Sequence, residues 1–224
     1  MTEGVAAGKG IGGRSMWKHR VFWNQPRLWS GFTGRKVNTW FMSGHDTCRL
    51  CVASHGENVD WVAKTGIEAC IYDATGSRDG LIPTRNEARE ASQYLRHIIA
   101  HYGQFRDYEL FVQGDPFAHE RGIDTLLRCQ PWKGERVFPL SGHVHPLDPD
   151  QGKVHHEAAV IQAADSGIVI REGARWVSGA MFAASREAIE SRTLGWWQRL
   201  LARVIIERTV SPWAMERLWL EILR

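Results

Sequence analysis

The sequence is short of several things, and each shortage excludes a class of protein. It has four cysteines in 224 residues, Cys48, Cys51, Cys70 and Cys129. That is too few for a disulfide framework. The lone Cys48-x-x-Cys51 has no second pair to complete a zinc site. Cys51 and Cys70 sit in apolar runs, where a free thiol acts as a small hydrophobe, so reduced core cysteines are expected. A Cys48–Cys51 disulfide is the alternative. No run approaches the ~20 apolar residues of a membrane span, and the N-terminus lacks a signal peptide's apolar stretch. A soluble, cytoplasmic protein is the expectation. The net charge of +3 is small for this length and argues neither for nor against nucleic acid, which is not an expected partner because no aromatic-basic motif of a known binding module is present. There is no internal repeat.

Residues 1–46 differ from the rest. They carry Gly4, Gly8, Gly10, Gly12 and Gly13, then Lys18, Arg20, Arg27, Arg35 and Lys36 among Trp17, Trp23, Trp29 and Trp40, with no sustained period. They read as a basic, partly disordered arm ahead of a single α/β domain over 47–224. An aromatic–basic surface for an anionic partner is the competing reading.

From residue 48 the pattern is regular. Leu50–Ser54, Ala69–Asp73 and Tyr108–Gln113 are short apolar runs of buried-strand type. A short helix is expected from Val59. Another should open at Pro83, where Thr84 and Glu87 have capping-box spacing. Its apolar stripe is Ala91, Tyr94, Leu95, Ile98 and Tyr102. This is a βαβαβ pattern: a Rossmann-like, mixed α/β sheet flanked by helices. Ligands in such sheets bind beyond the carboxyl ends of the strands. Here those ends are His55-Gly56-Glu57, Asp73 to Ser77, and Gln113-Gly114-Asp115. Residues 116–174 look irregular, with a strand at Gly167–Arg171. Two helices should close the chain, one capped by Ser185 and running through Val204, the other opened by Ser211-Pro212.

Several segments carry a family resemblance. Glu90-Ala91-Ser92-Gln93-Tyr94-Leu95-Arg96-His97-Ile98-Ile99, running on to Phe111-Val112-Gln113-Gly114, resembles the helix and strand end of DUF3431, a bacterial and fungal family of unknown function. Glu57 to Val62, Ser178 to Glu187 and Glu216-Arg217-Leu218-Trp219 are similar to further motifs of that family, in the same order. Asn58 departs from it. The layout also resembles GT-A glycosyltransferases, with an acid after the first strand and Asp73-Ala74-Thr75-Gly76-Ser77 after the second. The resemblance implies a glycosyltransferase-like enzyme that moves a sugar from a nucleotide-activated donor to a small-molecule or glycan acceptor.

Such chemistry needs donor binding, charge neutralisation at the departing diphosphate, and a base. Glu57, Asp73, Ser77, Arg85 and Gln113 are the candidate donor-binding residues. Asp115, His119, Glu90 and His97 are the candidate catalytic residues. Mn²⁺ or Mg²⁺ would sit on Asp115 and His119, spaced i, i+4 at a strand end; Asp115 equally reads as a turn cap. Asp148-Pro149-Asp150 has D-x-D spacing but a turn-like setting. His97 and His101 also have a metal-compatible i, i+4 spacing, with packing the favoured reading for His101. Arg85, Arg89 and Arg186 could meet phosphate, although arginines on exposed helix faces are usually just solvated. Glu216 and Trp219 read as anchors of the last helix. Two other functions compete: a metal-dependent hydrolase built on Asp115, His119, His143 and His145, and a non-catalytic binding protein.

Overall fold

The computed structural model describes residues 48–76, 78–148, 153–208 and 210–224. The N-terminal arm, Ser77 and the D-x-D-like Pro149-Asp150 fall outside the described residues.

The domain is α/β, built on a mixed sheet of six strands. The strands are β1 (Cys48–Ser54), β2 (Glu68–Asp73), β3 (Ile82–Pro83), β4 (Tyr108–Gln113), β5 (Val137–Pro139) and β8 (Phe182–Ser185), in the order β3-β2-β1-β4-β8-β5. β6 (Val144–Pro146) and β7 (Arg175–Val177) form a separate antiparallel pair. β1 lies between β2 and β4 and is parallel to both, while β8 runs antiparallel to β4. The carboxyl ends of β1, β2 and β4 therefore share one edge, as the apolar runs predict.

The main helices are α1 (Arg89–Ala100), α2 (Ile123–Cys129), α3 (Lys153–Ser166), α4 (Arg186–Glu190), α5 (Leu194–Ile206) and α6 (Ser211–Ile222). Cys51, Ala53, Tyr72, Phe111, Phe182 and Ala184 face a core shared with α1, α5 and α6. Phe111 stacks on Phe182 at 4.8 Å between ring centroids, and Phe182 meets Trp219 at 5.2 Å. Leu50, Val52, Leu110 and Val112 alternate to the other face and are also fully buried, so both faces of β1 and β4 are covered. No described helix is long and apolar enough to cross a membrane. All four cysteines are free thiols; Cys48 and Cys51 are buried, and Cys129 is exposed.

Four local expectations are corrected. The helix expected at Pro83 begins only at Arg89. Ile82–Pro83 instead pairs with β2, Thr84 N donates to Asp73 O at 3.0 Å, and Thr84 Oγ1 bonds Arg85 O rather than capping. The expected strand at Gly167–Arg171 is not a strand. Gly167 takes a left-handed φ of 65° and Ile168 N bonds back to Ala163 O at 2.8 Å, a helix C-terminal turn. The single helix from Ser185 is two. Ser185 caps α4 as expected, the chain breaks at Ser191–Thr193, and Thr193 caps α5 by accepting from Trp196 N–H. The middle region contains α2 and α3. α3 leaves Val154, Val160 and Ile161 exposed and buries only Ala159, Gln162 and Ala163. It therefore carries no apolar stripe for a periodicity argument to detect.

Candidate functional site

At the carboxyl edge of the sheet, β1 ends in Ser54, and the chain turns so that Glu57 folds back over it. Glu57 Oε2 accepts from His55 N–H at 2.6 Å and from the Ser54 hydroxyl at 3.0 Å. Burial works against this carboxylate, yet those bonds and its own N–H hold its pKa below the ordinary value. The carboxylate lies directly over Gly114. A Cβ at Gly114 would come within 2.5 Å of Glu57 Oε2 and 3.2 Å of Ser54 Cα. Glycine at the end of β4 is thus what lets the two strand ends close on each other.

Asp73, at the end of β2, is buried and committed. It accepts from Arg78 at 2.7 Å and from the Thr75 hydroxyl at 2.6 Å. The Arg78 guanidinium holds it well below the usual carboxylate range, against the cost of burial and with help from Thr75. The same guanidinium also bonds Ser54 Oγ and Glu57 O, each at 2.6 Å. Arg78 is therefore the clip that ties the β1 and β2 loops together. Asp73 acts through Arg78 and is not a free acceptor for a base or ribose.

From β4, Gln113 Oε1 lies 3.0 Å from His119 Nε2. The His119 ring packs on Gly179, where a Cβ would fall 2.7 Å from its Cγ. Gly179 has φ 80°, and Ala180 beside it has φ 50°, a left-handed value uncommon for alanine. Gly179 N–H donates to Glu216 Oε1 at 2.7 Å, so Glu216 anchors α6 to this turn.

Glu216 also faces Glu90. Burial pushes the Glu90 carboxyl up to about 7, and the charge of Glu216 adds to the effect; burial likewise raises Glu216. Arg89, which has φ 51°, counters both acids and places its guanidinium 4.8 Å over the half-exposed Trp213 ring. Burial lowers the His55 pKa, Arg89 adds to that lowering, and Glu57 opposes it. Contacts thus link Glu57 with Gly114 and His55, and Gln113 with His119, Gly179 and Glu216, while Glu90 is coupled electrostatically to Glu216, and Arg89 to both acids and to His55. Four buried polar atoms belonging to these residues or packed beside them, His55 Nε2, Gln93 Oε1, Tyr94 Oη and Trp219 Nε1, have no protein hydrogen-bond partner. Such atoms cost free energy unless water or a ligand completes them.

Glu57, Glu90, Gln113 and His119 thus come together here, with Asp73 behind them. Other candidates do not join. His97 is seven residues from Glu90, about 10 Å along the helix axis. It is fully buried: Nε2 meets Glu109 Oε2 at 2.8 Å and Nδ1 meets the Tyr72 hydroxyl at 3.2 Å. Glu109 is further held by Arg49 at 3.2 Å and Arg106 N–H at 2.9 Å. Asp115 is exposed and forms no hydrogen bond or ion pair with His119, whose Nε2 is turned to Gln113. His145 stacks on Trp176 at 4.8 Å. Asp115, His119, His143 and His145 bring no three ligand atoms together. Arg85 is exposed, and Arg186 pairs with Asp107 at the opposite edge.

Sequence reasoning missed His55 and Arg78 as site residues; Arg89 it named only as one of three arginines able to meet phosphate. Its one available signal was their position in the strand-end loops, where they are ordinary polar residues. Residues 50–130 match a family described as protein of unknown function (DUF3431). The match covers β1 through α2 and includes Glu57, Glu90 and Gln113. The segments around Gly179 and Glu216 lie outside it. Neither a curated protein nor a solved structure matches the chain.

Proposed function

We propose that this is a glycosyltransferase-like enzyme, with a Rossmann-like sheet of GT-A type, whose base is Glu90. One observation carries the reading. An acid raised to about 7 stands at the carboxyl edge of a parallel β2-β1-β4 core, beside unsatisfied polar atoms. A base with a pKa near the working pH suits removal of a hydroxyl proton. In the proposed step the acceptor oxygen bonds the donor's anomeric carbon and its proton passes to Glu90. The bond from that carbon to the diphosphate oxygen breaks, and the diphosphate leaves with the electron pair. Arg89, held over the Trp213 ring, supplies positive charge beside it. The acids at the strand ends do not suit a hard divalent ion, because Asp73 and Glu57 spend oxygens on Arg78, Thr75, Ser54 and His55 N–H. An Mn²⁺ or Mg²⁺ accompanying the diphosphate would draw on Glu216 and leave Glu90 as the base. The free thiols support a reducing, cytoplasmic setting.

The test is a thermal-shift screen over nucleotide sugars, with and without Mn²⁺ or Mg²⁺, on wild type and Glu90→Gln. The expected result is a raised Tm with one class of donor in both proteins, and transfer to an acceptor lowered about 10²- to 10⁴-fold in the variant. No shift with any nucleotide sugar, with or without metal, would overturn the reading.

A further inference from the structure

We infer that Cys70, His97 and His101 form a binding site for a borderline-soft divalent cation of the Zn²⁺ type, separate from the strand-end site. Among the described residues this is the one group that brings three Cys, His or acid ligand atoms within 4.8 Å of one another.

Cys70 on β2 and the two histidines, one turn apart on α1, face each other across the sheet–helix boundary. Cys70 Sγ lies 3.7 Å from His101 Nε2. For a tetrahedral ion with Zn–S near 2.3 Å and Zn–N near 2.05 Å, the sulfur–nitrogen edge is about 3.6 Å. The two ligands are thus already spaced for one ion.

Neighbouring acceptors fix both ring tautomers. His101 Nδ1 is 3.0 Å from His97 O, which only accepts, so Nδ1 carries the proton and Nε2 presents its lone pair toward Cys70. His97 Nε2 is 2.8 Å from the Glu109 carboxylate, itself held by Arg49 and Arg106 N–H. Nε2 therefore donates, and Nδ1 is left as the ligand nitrogen. A histidine whose second nitrogen donates to a carboxylate or carbonyl is the usual outer arrangement of a zinc ligand. The Tyr72 hydroxyl donates into that lone pair at 3.2 Å, a contact that an ion on Nδ1 replaces.

The site also has an entry path. β3 pairs only with Tyr72 and Asp73, so at Cys70 β2 has no strand outside it. Cys70 and His101 are half-buried while His97 is sealed. The thiolate and two imidazoles select Zn²⁺ over Mg²⁺ or Mn²⁺, whose preferred ligands are oxygens.

The test uses the full-length protein, first stripped with a chelator. Titration with Zn²⁺ should show about one tight equivalent per chain and a raised Tm. Co²⁺ in its place should give a thiolate-to-cobalt charge-transfer band in the near ultraviolet. Cys70→Ser should lose that band, and His101→Ala should weaken binding at least tenfold. Wild-type protein that takes up no Zn²⁺ and shows no such band overturns the inference without depending on any variant. So does a band that persists in Cys70→Ser.

Discussion

Helix α1 carries two buried acid networks two turns apart, and they behave in opposite ways. Glu109, facing the middle of the helix, receives His97, Arg49 and Arg106 N–H. Glu90, at its start, has Glu216 for a neighbour and Arg89 as its counter-charge. Both carboxyls are buried, at 0% and 8% exposure. Burial alone therefore does not decide what a carboxyl does. Where donors surround it, the charge is satisfied and the group pins the fold together. Where they are too few, the proton is held more tightly and the group can exchange it near neutral pH.

The largest effect should come from breaking the satisfied network. Glu109→Ala leaves buried His97 without its acceptor and strips Arg49 of its buried counter-charge, though Arg49 keeps Gln104 O, and should cost about 3–5 kcal/mol in a urea titration. Glu109→Gln, which keeps shape and one acceptor, should cost distinctly less. If both variants are near neutral, the network is no staple and the contrast with Glu90 fails.

Next comes Gly179→Ala. The added Cβ meets the His119 ring at 2.7 Å on a backbone with φ 80°. A loss of about 2–3 kcal/mol is expected, with a shift of the His119 imidazole resonances in NMR. A silent substitution would show that His119 does not pack on this turn.

Glu90→Gln should act in the other direction. A carboxyl raised from 4.5 to about 7 favours folding least once it must ionise. Its contribution is intact at low pH, falls as the pH rises past the unfolded value, and is lost once the pH passes about 7. The amide does not ionise, so the variant should be more stable than wild type at pH 8, by about 3 kcal/mol. The two should converge near pH 4. Parallel stability–pH curves would place Glu90 in a wetter setting than the structure shows.

The smallest effect is expected at the far edge of the sheet. Arg186→Ala removes an exposed pair with Asp107 and should change stability by less than about 0.5 kcal/mol. It should leave any activity untouched, because that edge lies away from the strand ends.

Much of the frame was legible. The three apolar runs became β1, β2 and β4 because a strand buried on both faces must be apolar throughout, and parallel pairing places such ends on one edge. Glu57, Gln113 and Glu90 were legible by position in or beside those ends. What escaped depends on contacts distant in sequence. Glu90 and His97 read as equivalent polar positions on α1, and only the facing strands separate them: Glu109 comes from β4, Glu216 from α6. The pairing of Asp115 with His119 follows helical spacing, but Pro116–Ala118 makes a 3-10 turn that aims His119 at Gln113 instead. Cys70 looked like a core thiol because β3, which leaves the outer edge of β2 open at that level, is only two residues long.

The sequence by itself determined the α/β class, the parallel core and the edge where its loops gather. These follow from local hydrophobic pattern and from the fixed geometry of strands. The tertiary structure alone decided which acids are satisfied and which are not. That depends on how many donors other elements bring to each carboxyl, and no local spacing encodes it.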